Sequence, residues 1–229
     1  MSGSLGVVML ETRFPRPRGD IGNPQTFAFP VRYRIVRGAS PRRVVIERDP
    51  TLLAPFVDAA RALEREGVAA ITTSCGFLAL FQREMAAAVS VPVWTSSLLL
   101  VAEIEAGLRD GRRAGIVTAD ADSLGAEHLR AAGARADTPC EGLAPDSRFR
   151  ATVLEDRSEL DVEEAERATV AAAGRLVARH PEIAAIVLEC TNMPPYADAV
   201  RAATRLPVHD VTTMVRARLR VATTSPGTP

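Results

Sequence analysis

Two stretches of this chain read as copies of one another. Ala69-Ala70-Ile71-Thr72-Thr73-Ser74-Cys75 and Ala184-Ala185-Ile186-Val187-Leu188-Glu189-Cys190 are short, apolar, β-prone runs that each stop at a cysteine. Their spacing is 190 − 75 = 115 residues, and Pro92 in Val91-Pro92-Val93 recurs at the same offset as Pro207 in Leu206-Pro207-Val208, since 207 − 92 = 115. A weaker echo joins Leu5-Gly6-Val7-Val8 to Ala114-Gly115-Ile116-Val117 at 115 − 6 = 109, so the copies differ by a few residues in their early loops. A repeat of this kind predicts two similar lobes, each offering one cysteine.

Local patterns fill in the lobes. In the first, strands are expected over 5–9 and 31–36, separated by a Pro/Gly/Arg-rich connection over 11–30. A helix over 52–66, closed by Gly67, leads to the strand ending at Cys75; a helix over 77–89 and a short strand over 91–93 follow. Thr95, Ser96 and Ser97 offer N-caps for a helix running to Leu108. The second lobe repeats the scheme with a strand over 113–118, a helix over 123–132, an irregular stretch over 140–148 and an amphipathic helix over 161–180. Pro194 and Pro195 open a helix after the strand ending at Cys190, before a last strand over 206–208 and a last helix over 212–220. Alternating strands and helices imply α/β lobes, each a parallel sheet with helices on both faces. The expected division is a first lobe of 1–97 plus 206–222, a second of 98–205 and a disordered tail over 223–229. Ligands bind such sheets at the carboxyl ends of the strands.

Composition narrows the chemistry. The 229 residues contain no lysine, so all 28 basic residues are arginines; Schiff-base chemistry on lysine and phosphate-loop sites are excluded. No Gly-x-Gly-x-x-Gly follows a strand, so a dinucleotide-binding fold has no support. His128, His180 and His209 lack metal-ligand spacing with the cysteines, so no metal is expected. The formal charge is balanced, which argues against nucleic-acid binding. Arginines cluster early and acids gather over 155–166, both read as solvated surface. With no signal-like start, no membrane-length apolar run and three cysteines in no disulfide framework, a cytoplasmic protein is expected, most simply a homodimer.

Cys75 and Cys190 each lie where a strand turns into a helix whose unpaired amides favour a thiolate. A free thiol with a pKa near ~8.5 is about 3% ionised at neutral pH, and lowering it by one unit raises this to roughly 25%. Lobes packed about a pseudo-twofold axis would place the two thiols on opposite sides of one cleft, suited to taking a proton from one face of a carbon and returning it to the other. Ser74 and Gly76 beside the first cysteine, and Thr191 and Asn192 after the second, offer either helix caps or a cradle for a carboxylate or oxyanion. Thr118 ends a strand and can cap a helix or reach the cleft; Asp20 and Asn23 lie in turn chemistry in the long first loop. Glu189 is expected on the opposite face from Cys190 and is given no role. Cys140 has no partner in the first lobe and is read as structural. Phe77, Phe81, Trp94, Met193 and Tyr196 are candidates for an apolar pocket or for core.

At Ile71-Thr72-Thr73-Ser74-Cys75-Gly76-Phe77, Ala114-Gly115-Ile116-Val117-Thr118 and Leu188-Glu189-Cys190-Thr191-Asn192-Met193 the chain resembles the aspartate/glutamate racemase superfamily, which includes hydantoin racemases, maleate cis-trans isomerases and arylmalonate decarboxylases. The resemblance implies two flavodoxin-like lobes, a cleft between them and cofactor-independent two-base catalysis by Cys75 and Cys190. Ser74, Gly76, Thr191 and Asn192 would bind a substrate carboxylate and stabilise its enolate, with Thr118 and Asn23 nearby. Gly76-Phe77 and Thr191-Asn192 depart from the Asn-Thr and Thr-His of glutamate racemases, which argues against glutamate as substrate. The expected activity is a racemase or epimerase acting beside a carboxylate or related carbonyl. The alternatives are a maleate-type isomerase, an arylmalonate-type decarboxylase or a non-catalytic module binding a small carboxylate. Retention of Cys75 argues against decarboxylation.

Overall fold

A computed structural model describes residues 3–224. The runs that end at the cysteines become central strands, because a strand covered by helices on both faces has no polar side to present. β1 (Leu5–Leu10) and β3 (Ala70–Thr73) are buried at every position. With β2 (Val31–Val36) and β4 (Val93–Trp94) they form a parallel sheet in the order β2-β1-β3-β4. The second sheet uses β5 (Arg113–Thr118), β6 (Cys140–Gly142), β7 (Ile183–Leu188) and β8 (Val208–His209) in the matching order β6-β5-β7-β8. The fold is two similar parallel α/β lobes, as the repeat requires.

The repeat extends to individual hydrogen bonds. Ile71 N–H donates to Pro92 O at 2.8 Å, and Ile186 N–H to Pro207 O at 2.9 Å. Val8 pairs with Thr73 in one sheet and Val117 with Leu188 in the other. Gly6 and Gly115 are equivalent in packing too. A Cβ on Gly6 would stand 3.0 Å from Leu63, and one on Gly115 2.4 Å from Ile183 and 2.9 Å from Leu176. The missing side chains let α1 (Leu53–Arg65) and α6 (Val162–Arg179) lie close over the sheets.

Several local expectations change. The stretch read as irregular holds β6, an edge strand too short to show a pattern, and α5 (Arg148–Glu155), capped by Ser147 through a bond from Arg150 N–H. The helix expected over 77–89 opens as a 3₁₀ segment, Gly76–Phe81, before α2 (Gln82–Ala87). Thr95, Ser96 and Ser97 do not cap α3 (Leu99–Gly107), whose cap residue is Leu98 with no side-chain bond. Thr95 donates instead to Gln82 Oε1, and Ser97 to Leu188 O in the other lobe at 2.8 Å. The remaining helices are α4 (Ala126–Ala131), α7 (Ala197–Thr204) and α8 (Val211–Thr224).

The lobe boundary also moves. β8 pairs with β7, so residues 206–209 stay with the second lobe and the chain returns only with α8. There Val211, Met214, Val215 and Leu219 pack on Leu5, Val7 and Met9. α3 crosses the other way, with Val101 in the core beside Ala114 and Ile116. Each lobe thus lends its last helix to the other sheet. Of the tail expected over 223–229, Thr223 and Thr224 belong to α8, and 225–229 lie outside the described residues. Among the described residues no helix is long and apolar enough to cross a membrane.

Candidate active site

The loops leaving the carboxyl ends of β1, β3 and β7 meet in a narrow cleft between the lobes. Cys75 follows β3 by two residues with extended backbone (φ −153°, ψ 120°), and Cys190 follows β7 by the same count. Both thiols line the cleft, together with Ser74, Gly76, Thr191 and Asn192. The lobes are joined beside the cysteines: Thr191 Oγ1–H donates to Ser74 O at 2.7 Å, linking the residue after one cysteine to the residue before the other. Asn192 accepts from the Cys190 thiol at 3.5 Å through Oδ1 and donates to Asp20 Oδ2 at 2.6 Å through Nδ2. Asp20 Oδ1 in turn accepts from Arg16 at 2.8 Å and from Gly22 N–H at 2.7 Å. At the rim Arg13 N–H donates to Asp156 Oδ1 at 2.6 Å, another tie from one lobe to the other.

Two expected residues stand elsewhere. Asn23 holds the first loop, donating to Arg16 O at 2.7 Å and accepting from Gln25 N–H at 2.8 Å, and it does not line the cleft. Thr118 is fully buried, and its hydroxyl is committed to Glu189 Oε2 at 2.6 Å. Of the candidate pocket residues only Phe77 faces the cleft. Phe81 packs on Phe56, Trp94 lies under Arg218, and Met193 and Tyr196 are core in the second lobe.

The electrostatics revise the expected thiolate. Backbone amides of Phe77 and Leu78 do face the Cys75 sulfur and favour its ionised form. Burial outweighs them, and with the nearby Glu189 carboxyl it pushes the Cys75 thiol up to about 12. Cys190 is raised well above its ordinary value for the same reasons, burial first and Glu189 second. Both shifts are upward, so neither cysteine is the ready thiolate that the strand-end amides alone would give. Glu189 is itself pushed up to about 7 by burial, against the hydrogen bond from Thr118.

Glu189 is the residue that sequence reasoning missed. It is 1% exposed and lines the cleft, and its Oε1 has no hydrogen-bond partner. The expectation that it turns away assumed that the strand runs on, whereas β7 stops at Leu188. The repeat held the signal, because 189 − 74 = 115 makes Glu189 the counterpart of Ser74. Arg16 and Phe14 were missed as well; they reach the cleft from the long first loop, with the guanidinium 4.6 Å from the centre of the Phe14 ring. Among the described residues lining the cleft, Arg16 is the one base and Glu189 the one acid. No group of three His, Cys, Asp or Glu among the described residues could hold a metal ion.

Such a cleft can exchange a proton at a carbon beside a carboxylate.

Comparison with known proteins agrees on the fold and redirects the activity. The sequence profile of Asp/Glu/hydantoin racemases matches residues 46–218. Unliganded arylmalonate decarboxylase superposes with a TM-score of 0.63 at 18% identity, covering 98% of this chain and 94% of that one. A glutamate racemase of Bacillus anthracis gives 0.60 at 14% identity, covering 96% and 80%. A dimethylsulfoniopropionate lyase of Durusdinium sp. clade D is 37% identical over 215 residues, 90% of this chain and 71% of that protein. Dimethylsulfoniopropionate lyase 3 of Emiliania huxleyi (strain CCMP1516) is 34% identical over 230 residues, 94% of this chain but only 59% of its own length. These relatives overturn the expected racemase or epimerase, and the isomerase class with it, because they carry the name of a lyase. With its profile matched over residues 46–218 and its two-lobed fold shared, the chain belongs to the Asp/Glu/hydantoin racemase family.

Proposed function

We propose that this protein is a lyase that eliminates dimethyl sulfide from dimethylsulfoniopropionate or a closely similar β-sulfonio carboxylate. The observation that carries this reading is the 37% identity to a dimethylsulfoniopropionate lyase across 90% of the chain. The cleft suits the chemistry. Its single base, Arg16, and the amides at the start of the 3₁₀ segment supply positive potential for a carboxylate, and Phe14 and Phe77 give apolar lining beside a sulfonium. Cys75 is the base. Its thiolate takes the proton α to the carboxylate, the C–H electrons form the carbon–carbon double bond, and the C–S electrons leave with neutral dimethyl sulfide. Elimination needs one base, so Cys190 stays protonated, its S–H held by Asn192 Oδ1. Ser74, Gly76, Thr191 and Asn192 are assigned to shape the substrate site as lining residues, the side chains of Ser74, Thr191 and Asn192 being already bonded within the protein, while Asn23 and Thr118 support the site from outside the cleft.

The test is incubation with dimethylsulfoniopropionate, reading acrylate by proton NMR and dimethyl sulfide in the headspace. Both products should appear in equal amounts, and Cys75→Ser should lower turnover by roughly a hundredfold or more. Exchange of the α-proton in deuterated water without C–S cleavage, or intact substrate throughout, would refute the lyase reading.

A further inference from the structure

We infer that Glu189 is the proton acceptor that makes Cys75 a base: its free Oε1 takes the thiol proton as substrate enters. This rests on the lyase reading and goes beyond it in naming how the reactive sulfur is formed. The geometry is that of a group with one oxygen held and one kept free. Thr118 fixes Oε2 at 2.6 Å, while Oε1 is buried without a partner. A Cβ on Gly76 would stand 2.2 Å from that oxygen, which therefore lies against the residue immediately after Cys75. A buried carboxyl oxygen left unpaired is costly, and a carboxyl kept only for packing would have both oxygens satisfied. The position after β7 does not demand an acid, since its counterpart after β3 is Ser74.

The groups facing Glu189 are consistent with this role. Cys75, Cys190 and Cys140 approach from the ends of β3 and β7 and from β6, and each thiol is raised partly by the Glu189 charge. Arg16 and Asp20 act on the cysteines from the β1 loop. With the carboxyl titrating near 7 and the thiols far above it, the resting negative charge sits on Glu189. A sulfonium in the cleft stabilises negative charge there, and the Phe77 and Leu78 amides favour that charge on the Cys75 sulfur. The S–H bond of Cys75 then breaks, an O–H bond forms at Oε1, and the charge passes from carboxylate to sulfur. After the thiolate has taken the α-proton, Glu189 releases its own proton to solvent. The cycle therefore yields dimethyl sulfide, acrylate and one proton from each zwitterionic substrate.

The experiment pairs thiol reactivity with turnover in Glu189→Gln. Cys75 alkylation by iodoacetamide, read by peptide mass spectrometry between about pH 6 and 10, should become about tenfold faster near pH 9, because a like charge is gone. Acrylate production should fall roughly a hundredfold, because the acceptor is gone. If the carboxyl acted on Cys75 by its charge alone, its loss would speed alkylation without lowering turnover, so the two readouts together separate the roles. Thr118→Val provides a second variant that keeps the carboxyl; it should move the acid limb of kcat to higher pH, because it removes the bond that favours the ionised form. Unchanged Cys75 alkylation in Glu189→Gln, or turnover within about threefold of wild type, would overturn the inference. If the wild type makes no acrylate the lyase reading fails separately, and the alkylation profile alone decides whether Glu189 bears on Cys75. If Glu189→Gln does not fold, the pH limb of Thr118→Val decides, and an unmoved limb overturns the proposal.

Discussion

Replacing Asp20 with alanine should loosen the joint between the lobes measurably. Its carboxylate accepts from Arg16 at 2.8 Å, from Gly22 N–H at 2.7 Å and from Asn192 of the second lobe at 2.6 Å. The side chains of Arg16 and Asp20 are only 11% and 1% exposed. Truncation leaves a nearly buried guanidinium and a buried amide without their acceptor. Breaking such a pair costs about 3–5 kcal/mol, and the loss of the charged hydrogen bond to Asn192 overlaps with it rather than adding in full. For a chain of this size each kcal/mol lowers Tm by about 2–4 °C, so a loss near 4 kcal/mol corresponds to about 8–16 °C. Thermal unfolding followed by circular dichroism measures the drop. A double-mutant cycle with Asn192→Ala should give a coupling of at least about 1 kcal/mol across the lobes. A fall in Tm under about 3 °C, with coupling under about 0.5 kcal/mol, would refute the claim that this network holds the cleft together.

Gly76→Ala should lower both stability and turnover. Its Cβ would stand 2.2 Å from Glu189 Oε1 and 2.6 Å from Glu189 O, and the backbone atom cannot rotate away. Overpacking of this kind costs about 1–3 kcal/mol, and denaturant unfolding together with acrylate release would show both losses. Stability should also depend on pH through Glu189. Its folded-state pKa is raised from 4.5 to about 7, so the folded protein binds the extra proton between those values, and the contribution present below 4.5 is lost as pH rises through 7. That contribution amounts to about 3 kcal/mol. His128, held to about 4 by burial, acts with the opposite sign as pH falls below its ordinary value. The useful comparison is therefore wild type against Glu189→Gln in urea at several pH values. The variant should lose less stability from about pH 5 to 8, and parallel curves would contradict the assignment.

Much of the architecture was legible because it is repeated. Helices covering both faces of a sheet demand continuous apolar strands, and a duplicated lobe shows that demand twice at one offset, which identified both sheets and both cysteines. Six of the eight expected site residues line the cleft, because each sits within two residues of a cysteine at the end of a central strand. The expected substrate contacts of Asn23 and Thr118 depended on where a loop and a hydroxyl point. The loop turns Asn23 onto Arg16, and the hydroxyl of Thr118 is taken by Glu189. β6 was missed because three residues on a sheet edge carry no period.

Pattern and spacing are local properties of the chain, and they determined the class of fold and the pair of thiols, while the family entered through a resemblance at the motifs around them. Burial and through-space charge are sums over residues distant in sequence, and only the tertiary structure decided them. The amides that favour a Cys75 thiolate are three residues away or nearer and could be anticipated. The enclosure that overrides them, and the Glu189 carboxyl 189 − 75 = 114 residues on, exist only once the lobes close on one another. For that reason the sequence led to the expectation of one thiolate facing one thiol, whereas in the folded cleft burial and one buried acid raise both thiols.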